Sequence, residues 1–173
     1  KGIATAAKKA SRIAAEGVVL AKVEGKTGAL VEVNSETDFV AKGSQYLDFV
    51  AGVADYVVNN DVQTIEELVA AKNDETVNAT AKIGEKIAIR RFAKYTATNG
   101  LVESYIHMGG KVGVLVEVEG CDCPIAKELA HDVALQIAAA KPLYLVAEEV
   151  PADVVEHEKE ILLAQIKNDP KLA

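Results

Sequence analysis

Side chains that could do chemistry are scattered along this sequence without a recognisable catalytic arrangement. No serine lies in a nucleophile-elbow context, and no glycine-rich loop precedes a helix at phosphate-binding spacing. The histidines are widely separated and belong to no metal or triad motif; they are His107, His131 and His157. We therefore predict that the protein is not an enzyme and that it binds no nucleotide or other cofactor.

The two cysteines could do chemistry of a different kind. Cys121 and Cys123 are separated by one residue, and two cysteines alone suggest no disulfide framework. They could supply two metal ligands, but a structural zinc site needs four, and only His131 is close in sequence. We interpret them as two incidental thiols in a loop, predict no metal site and expect a reducing, cytoplasmic environment.

Composition and charge indicate the kind of partner. The 173 residues carry a net charge of −7, and 50% of them are hydrophobic. Nucleic-acid binders concentrate positive charge because phosphate contacts supply most of their affinity, whereas the only basic cluster here is Lys8, Lys9 and Arg12. No apolar run reaches the ~18 residues that span a bilayer. The sequence therefore favours a protein partner over nucleic acid or a membrane.

An internal repeat indicates the fold class. The string from Gly25 to Val33 reads Gly-Lys-x-Gly-x-Leu-Val-Glu-Val, and it recurs from Gly110 to Val118, 85 residues later. In each half a predicted hairpin precedes a predicted helix. This order indicates an α+β protein of two similar subdomains, each a small antiparallel sheet with helices packed on one face. We place the subdomains at residues 1–97 and 98–173.

Apolar periodicity predicts the remaining elements. One helix is predicted from Ile3 to Glu16, and a second follows the first hairpin. A third is predicted from Ile65 to Ala71, where Thr64 is the cap. A third strand, Lys86 to Thr96, completes the first sheet only, so we expect the second subdomain to be truncated. Two helices are predicted in the second half. The first begins at Pro124 and is predicted to bury Ile125, Leu129, Val133 and Ile137.

One segment stands out as a candidate binding site. After the second predicted strand, the stretch Asn-Ser-Glu-Thr-Asp offers turn and cap chemistry, and Thr37 or Asp38 can cap the next helix. Phe39, one of three phenylalanines, follows in the first helical turn. There it could insert into a groove of a partner. It could equally be a core residue, because Phe39, Tyr46 and Val50 fall on one helical stripe.

The same segment carries a family resemblance. Glu32 to Lys42 resembles, position for position, the signature of elongation factor Ts, whose key element is Thr-Asp-Phe-Val. Supporting similarity in Ala6 to Ala10, Ala81 to Glu85 and Ser104 to His107 extends the resemblance over nearly the whole chain. The resemblance implies the family's core of two similar subdomains. We expect this chain to lack the family's N-terminal helical module and its C-terminal end.

The resemblance also implies a function. Members of the family are translation elongation factors that bind elongation factor Tu·GDP. Thr-Asp-Phe-Val enters between two helices of that GTPase and disturbs its Mg²⁺ site, so that GDP leaves. Carried over to this sequence, the role falls on Thr37, Asp38, Phe39 and Val40, with Phe39 as the wedge.

The resemblance implies a second contact and leaves an alternative open. The second contact is a loop of the second subdomain, formed by His107, Met108, Gly109 and Gly110. The alternative function is a non-catalytic Tu-binding adaptor, or a chaperone-like interaction module, of the same fold. A homodimer or a 2:2 complex with Tu is compatible with either function.

Overall fold

The computed structural model describes residues 2–168, apart from the side chains of residues 2, 3 and 5. Residue 1 and residues 169–173, which the two predicted subdomains include, lie outside the described residues. The elements in chain order are α1 (Gly2–Lys9), β1 (Glu16–Glu24), β2 (Thr27–Ser35), α2 (Asp38–Ala41), α3 (Ser44–Asn59), α4 (Ile65–Ala71), α5 (Asn73–Ile83), β3 (Ala88–Thr96), β4 (Gly100–His107), β5 (Val112–Glu119), α6 (Pro124–Ala140), a 3-10 turn (Ala147–Glu149) and α7 (Ala152–Asn168). These elements form two compact units, which meet in sequence between Ala140 and Lys141.

The first sheet is antiparallel, with the strand order β1-β2-β3. Glu24 pairs with Thr27, so Gly25 and Lys26 alone form the turn between β1 and β2. Alternate residues of β2 point to α3, because side chains of a strand alternate between its two faces. The resulting core is fully buried and joins the two elements; it contains Ala29, Val31 and Val33 from β2 and Val50, Val53, Ala54 and Val57 from α3.

The second sheet consists of β4 and β5, joined by the four-residue loop 108–111. Helix α6 packs on it through Ala126 and Ala130, which contact a small core around Leu101. The prediction of the buried row on α6 is therefore wrong. The buried side chains of α6 are all alanines, whereas Ile125 is 77% exposed and Leu129 is 57% exposed. Alanine lets the helix lie close to the valine-rich strands, which turns the larger apolar row outward.

The two sheets stack face to face within the first unit. The face of β2 opposite α3 carries Gly28 and Leu30, and the face of β5 opposite α6 carries Gly113 and Leu115. A Cβ built on Gly28 would lie 3.0 Å from Leu115 Cδ1, and one built on Gly113 would lie 2.7 Å from Leu30 Cδ1. The unit therefore has four layers: helix, sheet, sheet and helix. This architecture confirms the predicted α+β class.

Two helix predictions have different outcomes. Thr64 caps α4 as predicted, because its side chain accepts from Glu67 N while the Glu67 carboxylate accepts from Thr64 N. The first helix, however, ends at Lys9 and not at Glu16. The carbonyls of Ala10 and Arg12 instead accept hydrogen bonds from Lys86 Nζ, at 2.7 and 2.9 Å, so this segment is held against the start of β3.

Among residues 2–168, none of the helices combines the length and the apolar character needed to cross a membrane.

Candidate protein-binding site

Phe39 is one of the most exposed large apolar residues in the described chain, with 84% of its surface accessible. It occupies the second position of α2, a helix of only four residues. The next two residues turn inward: Val40 packs against the main core, and Ala41 is buried. The core alternative for Phe39 is therefore wrong, and its ring is available to another molecule.

Thr37 and Asp38 shape the short helix that carries Phe39. Thr37 is the N-cap residue with an extended backbone, and its Oγ1 accepts a hydrogen bond from Val40 N at 3.3 Å. Lys42 donates to Asp38 Oδ2 at 3.0 Å, and this contact holds the pKa of Asp38 below its usual value. A carboxylate in the first turn also interacts favourably with the helix dipole.

Two glutamates that sequence reasoning missed brace the same turn from both sides. Glu85 accepts hydrogen bonds from Glu36 N, from Thr37 N and from Thr37 Oγ1. Glu36 in turn accepts from Lys86 N at 2.6 Å, and this bond, helped by Arg12, lowers the pKa of Glu36. No periodic or local signal could have paired these residues, because 48 to 50 positions separate the bonded groups.

The loop of the second candidate contact lies at the same end of the first unit. Met108 has a left-handed backbone (φ 50°) and is 73% exposed at its tip. The Gly110 carbonyl accepts a hydrogen bond from Val19 N at 2.8 Å, which fixes the loop to β1. Lys111 Nζ lies 2.8 Å from Glu16 Oε2, and Glu16 pairs with Ser35 at the end of β2. The structure thus brings both predicted loops to one end of the stacked sheets.

His107 belongs to a small polar group on the α6 side of the second sheet. Its Nδ1 shares a hydrogen bond of 2.9 Å with the Tyr105 hydroxyl. The ring of Tyr105 also meets His131 edge-on, and His131 Nδ1 lies 3.5 Å from Glu103 Oε1. Within residues 2–168, no three histidine, cysteine, aspartate or glutamate side chains cluster so that they could hold a metal ion.

The cysteines differ from the prediction of two free thiols. Cys121 and Cys123 are joined in a disulfide in the loop between β5 and α6. Their Cα atoms lie 5.6 Å apart, within the range that a disulfide bridges. Gly120, with a φ of 111°, turns the chain directly after β5. Cys123 also packs against the core of the second sheet.

An exposed aromatic side chain and an exposed apolar loop at the same end of one unit form the kind of surface expected of a protein-binding domain. Comparison with known protein families identifies the class of protein-binding domain. The family model described as elongation factor TS matches residues 36–173. The chain belongs to the elongation factor Ts family.

Curated relatives agree along the whole chain. Elongation factor Ts of Clostridium perfringens strain SM101 is 47% identical over 182 aligned residues, which cover 99% of this chain and 60% of the relative. The corresponding proteins of Clostridium botulinum strain Eklund 17B and Trichlorobacter lovleyi are 44% and 46% identical with the same coverage. The chain therefore spans 60% of the length of these relatives.

Proposed function

We propose that this chain promotes the release of GDP from elongation factor Tu by inserting Phe39 next to the Mg²⁺ site of that GTPase. The observation that carries the proposal is the 84% exposure of Phe39 on a turn held by Thr37, within the family signature Thr-Asp-Phe-Val. Relatives at 44–47% identity are named as elongation factor Ts, which supports the same role.

The proposed mechanism needs no covalent chemistry on this chain. A GTPase of this class holds GDP through its phosphate loop and a Mg²⁺ ion that neutralises phosphate charge. Entry of Phe39 between two helices of the GTPase displaces groups that support the ion, while Asp38 and Thr37 keep the start of α2 in place. Loss of the ion weakens GDP binding. Linkage requires that bound GDP weakens binding of the factor by the same ratio.

The loop 107–110 supplies the second contact in this proposal. Met108 offers an exposed apolar side chain, and the bond from Val19 N to the Gly110 carbonyl fixes the loop. Two contacts on one rigid unit strengthen each other, because binding at one raises the effective concentration of the other. The loop therefore contributes affinity, whereas Phe39 contributes both affinity and the displacement of GDP.

The experiment is a measurement of fluorescent GDP release from Tu, with and without this chain, at increasing Mg²⁺ concentration. We expect the chain to accelerate release in a saturable manner. We also expect excess Mg²⁺ to oppose the acceleration, because the ion and Phe39 stabilise different arrangements of the GTPase. Binding to Tu without any acceleration would instead identify the chain as a non-catalytic adaptor.

A further inference from the structure

We propose that Glu85 is a positioning residue that holds residues 36–40 in the conformation that presents Phe39. The inference rests on the proposed function, because it explains how the turn is kept ready for its partner. Glu85 does not itself contact the partner in this proposal. It acts through three hydrogen bonds to the segment directly before Phe39.

The geometry of these bonds is specific to a carboxylate. Oε2 accepts from two consecutive backbone N–H groups, those of Glu36 at 3.1 Å and Thr37 at 3.0 Å. Oε1 accepts from the Thr37 hydroxyl at 2.8 Å, which leaves Thr37 Oγ1 free to accept from Val40 N. One carboxylate thus satisfies both backbone donors and orients the cap. Hydrogen bonds to a charged acceptor are the stronger kind.

Glu36 makes a reciprocal contact with the segment that carries Glu85. Glu36 Oε1 accepts from Lys86 N, and the guanidinium of Arg12 lies 3.3 Å from the Glu36 carboxylate. Residues 36–37 and 85–86 therefore clamp each other through two carboxylates. Gly84 sets the approach of Glu85, because it ends α5 with a left-handed φ of 86°.

Such a clamp matters because the packing of Val40 and Ala41 anchors only the end of the turn that follows Phe39. A helix of four residues lies below the length at which helices are stable in isolation. Phe39 is too exposed to anchor the turn by packing. Without the bonds to Glu85, the turn would populate its binding-competent form for only a fraction of the time. The apparent affinity for the partner falls by that fraction, although the wedge residues themselves are unchanged.

The chain contains a matched control for this test. Glu119 at the end of β5 accepts from two consecutive backbone N–H groups, those of Thr98 at 2.6 Å and Asn99 at 2.8 Å. Its bonds have the same chemistry as those of Glu85. They brace the connection between β3 and β4, which lies at the end of the second sheet opposite the loop that carries Met108. Loss of the Glu119 carboxylate therefore removes an equivalent brace without touching either proposed contact.

The experiment measures the half-saturating concentration and the maximal rate of stimulated GDP release for Glu85→Ala, Glu119→Ala and Phe39→Ala, and for Glu85→Ala combined with Phe39→Ala. We expect Glu85→Ala to raise the half-saturating concentration at least about fivefold while the maximal rate stays within about twofold. Glu119→Ala should leave both quantities near the parent values. The Glu85 effect should largely disappear in the Phe39→Ala background, because the two residues act through one element.

Amide hydrogen exchange supplies a readout that does not depend on activity. Faster exchange at Glu36, Thr37 and Val40 is expected in Glu85→Ala, with core amides unchanged. Glu85→Gln, which keeps one acceptor oxygen, should fall between the parent and Glu85→Ala in both assays. It also serves as the test variant if Glu85→Ala does not fold.

The outcomes separate the two proposals. If Phe39→Ala loses stimulation and Glu85→Ala behaves like Glu119→Ala, the positioning role is overturned and the proposed function stands. If the Glu85 effect persists in full without Phe39, Glu85 contacts the partner directly, which also overturns the positioning role. If Phe39→Ala stimulates release as well as the parent, the proposed function fails; exchange at Thr37 and Val40 then still decides whether Glu85 holds the turn.

Discussion

Leu115 packs its Cδ1 against Gly28, 3.0 Å from the position that a Cβ on this glycine would occupy. The reciprocal pair, Leu30 against Gly113, is related to it by the same 85-residue offset as the sequence repeat. The two hairpins thus meet through equivalent surfaces, as subunits do in an isologous dimer. The second glycine of each repeated string serves this close approach of the sheets and lies inside a strand, not in the turn.

The close approach predicts that Gly28→Ala destabilises the fold. A Cβ at this position would lie 2.5 Å from Val102 Cγ1, so the sheets must separate or the side chains must leave their rotamers. Overpacking of this kind costs about 1–3 kcal/mol. Gly113→Ala should behave in the same way. The measurement is the free energy of unfolding in urea.

Gly52→Ala is the control for this prediction. Gly52 lies inside α3, and a Cβ there would meet nothing within 4 Å. Alanine is favoured over glycine in a helix, so this variant should gain about 0.5–1 kcal/mol. Equal effects at positions 28 and 52 would mean that the glycines of the repeat are not needed for stacking.

The elements whose signals are local or repeated were predictable from the sequence. The shared Gly-Lys string predicted both hairpins, because a turn flanked by apolar strands specifies its own pairing. Thr64 was recognisable as a cap since its partner Glu67 lies three residues later. The matching strings also predicted the internal symmetry, although not that the two sheets stack on each other.

The prediction failed where the answer depends on contacts between distant residues. On α6, periodicity favoured the row of Ile125 and Leu129, but the sheet accepts the row of Ala126 and Ala130. Hydrophobicity alone cannot decide whether a row of large or of small apolar side chains faces the sheet, because the distance between helix and sheet depends on tertiary packing. The hydrogen bonds to Glu85 were likewise not predictable, since a carboxylate without a partner nearby in sequence is typical of a solvated charge.

The pKa of Glu36 predicts a loss of stability in acid. The bond from Lys86 N, helped by Arg12, lowers this pKa from 4.5, so the charged carboxylate stabilises the folded state above about pH 4.5. That contribution is lost as the pH falls through the lowered pKa. At pH 7, Glu36→Gln should therefore have a lower urea midpoint than the parent, and the difference should shrink as the pH falls below about 4.5.

Glu119 provides a second instance of the same effect. Bonds from Thr98 N and Asn99 N lower its pKa, so Glu119→Gln should show the same convergence with the parent in acid. Urea titrations of the three proteins across this pH range test both residues. A difference from the parent that stays constant between about pH 7 and about pH 3 would show that the carboxylate charge is not the cause.

Met108 is predicted to contribute affinity for Tu. Its side chain is 73% exposed, so Met108→Ala should change the free energy of unfolding by no more than about 0.5 kcal/mol. As a second contact it should raise the half-saturating concentration about fivefold, corresponding to ~1 kcal/mol. The maximal rate of GDP release should stay unchanged. Val23→Ala, at the far end of β1, is the surface control, and an equal shift in that variant would remove Met108 from the interface.

Phe39→Ala is the sharpest test of the proposed wedge, because stability and function should separate. The side chain is 84% exposed, so its loss should leave the urea midpoint nearly unchanged, within about 0.5 kcal/mol. Stimulated GDP release at saturation should slow by at least about tenfold, which corresponds to ~1.4 kcal/mol.

Val50→Ala should do the reverse. Val50 is fully buried against β2, and its truncation should cost at least about 1.5 kcal/mol of stability while the folded protein still stimulates release at saturation. The two variants are compared by urea denaturation and by GDP release, with each rate divided by the folded fraction. If the rate of Phe39→Ala falls only in proportion to its folded fraction, as expected for Val50→Ala, the ring acts through stability and the wedge role is wrong.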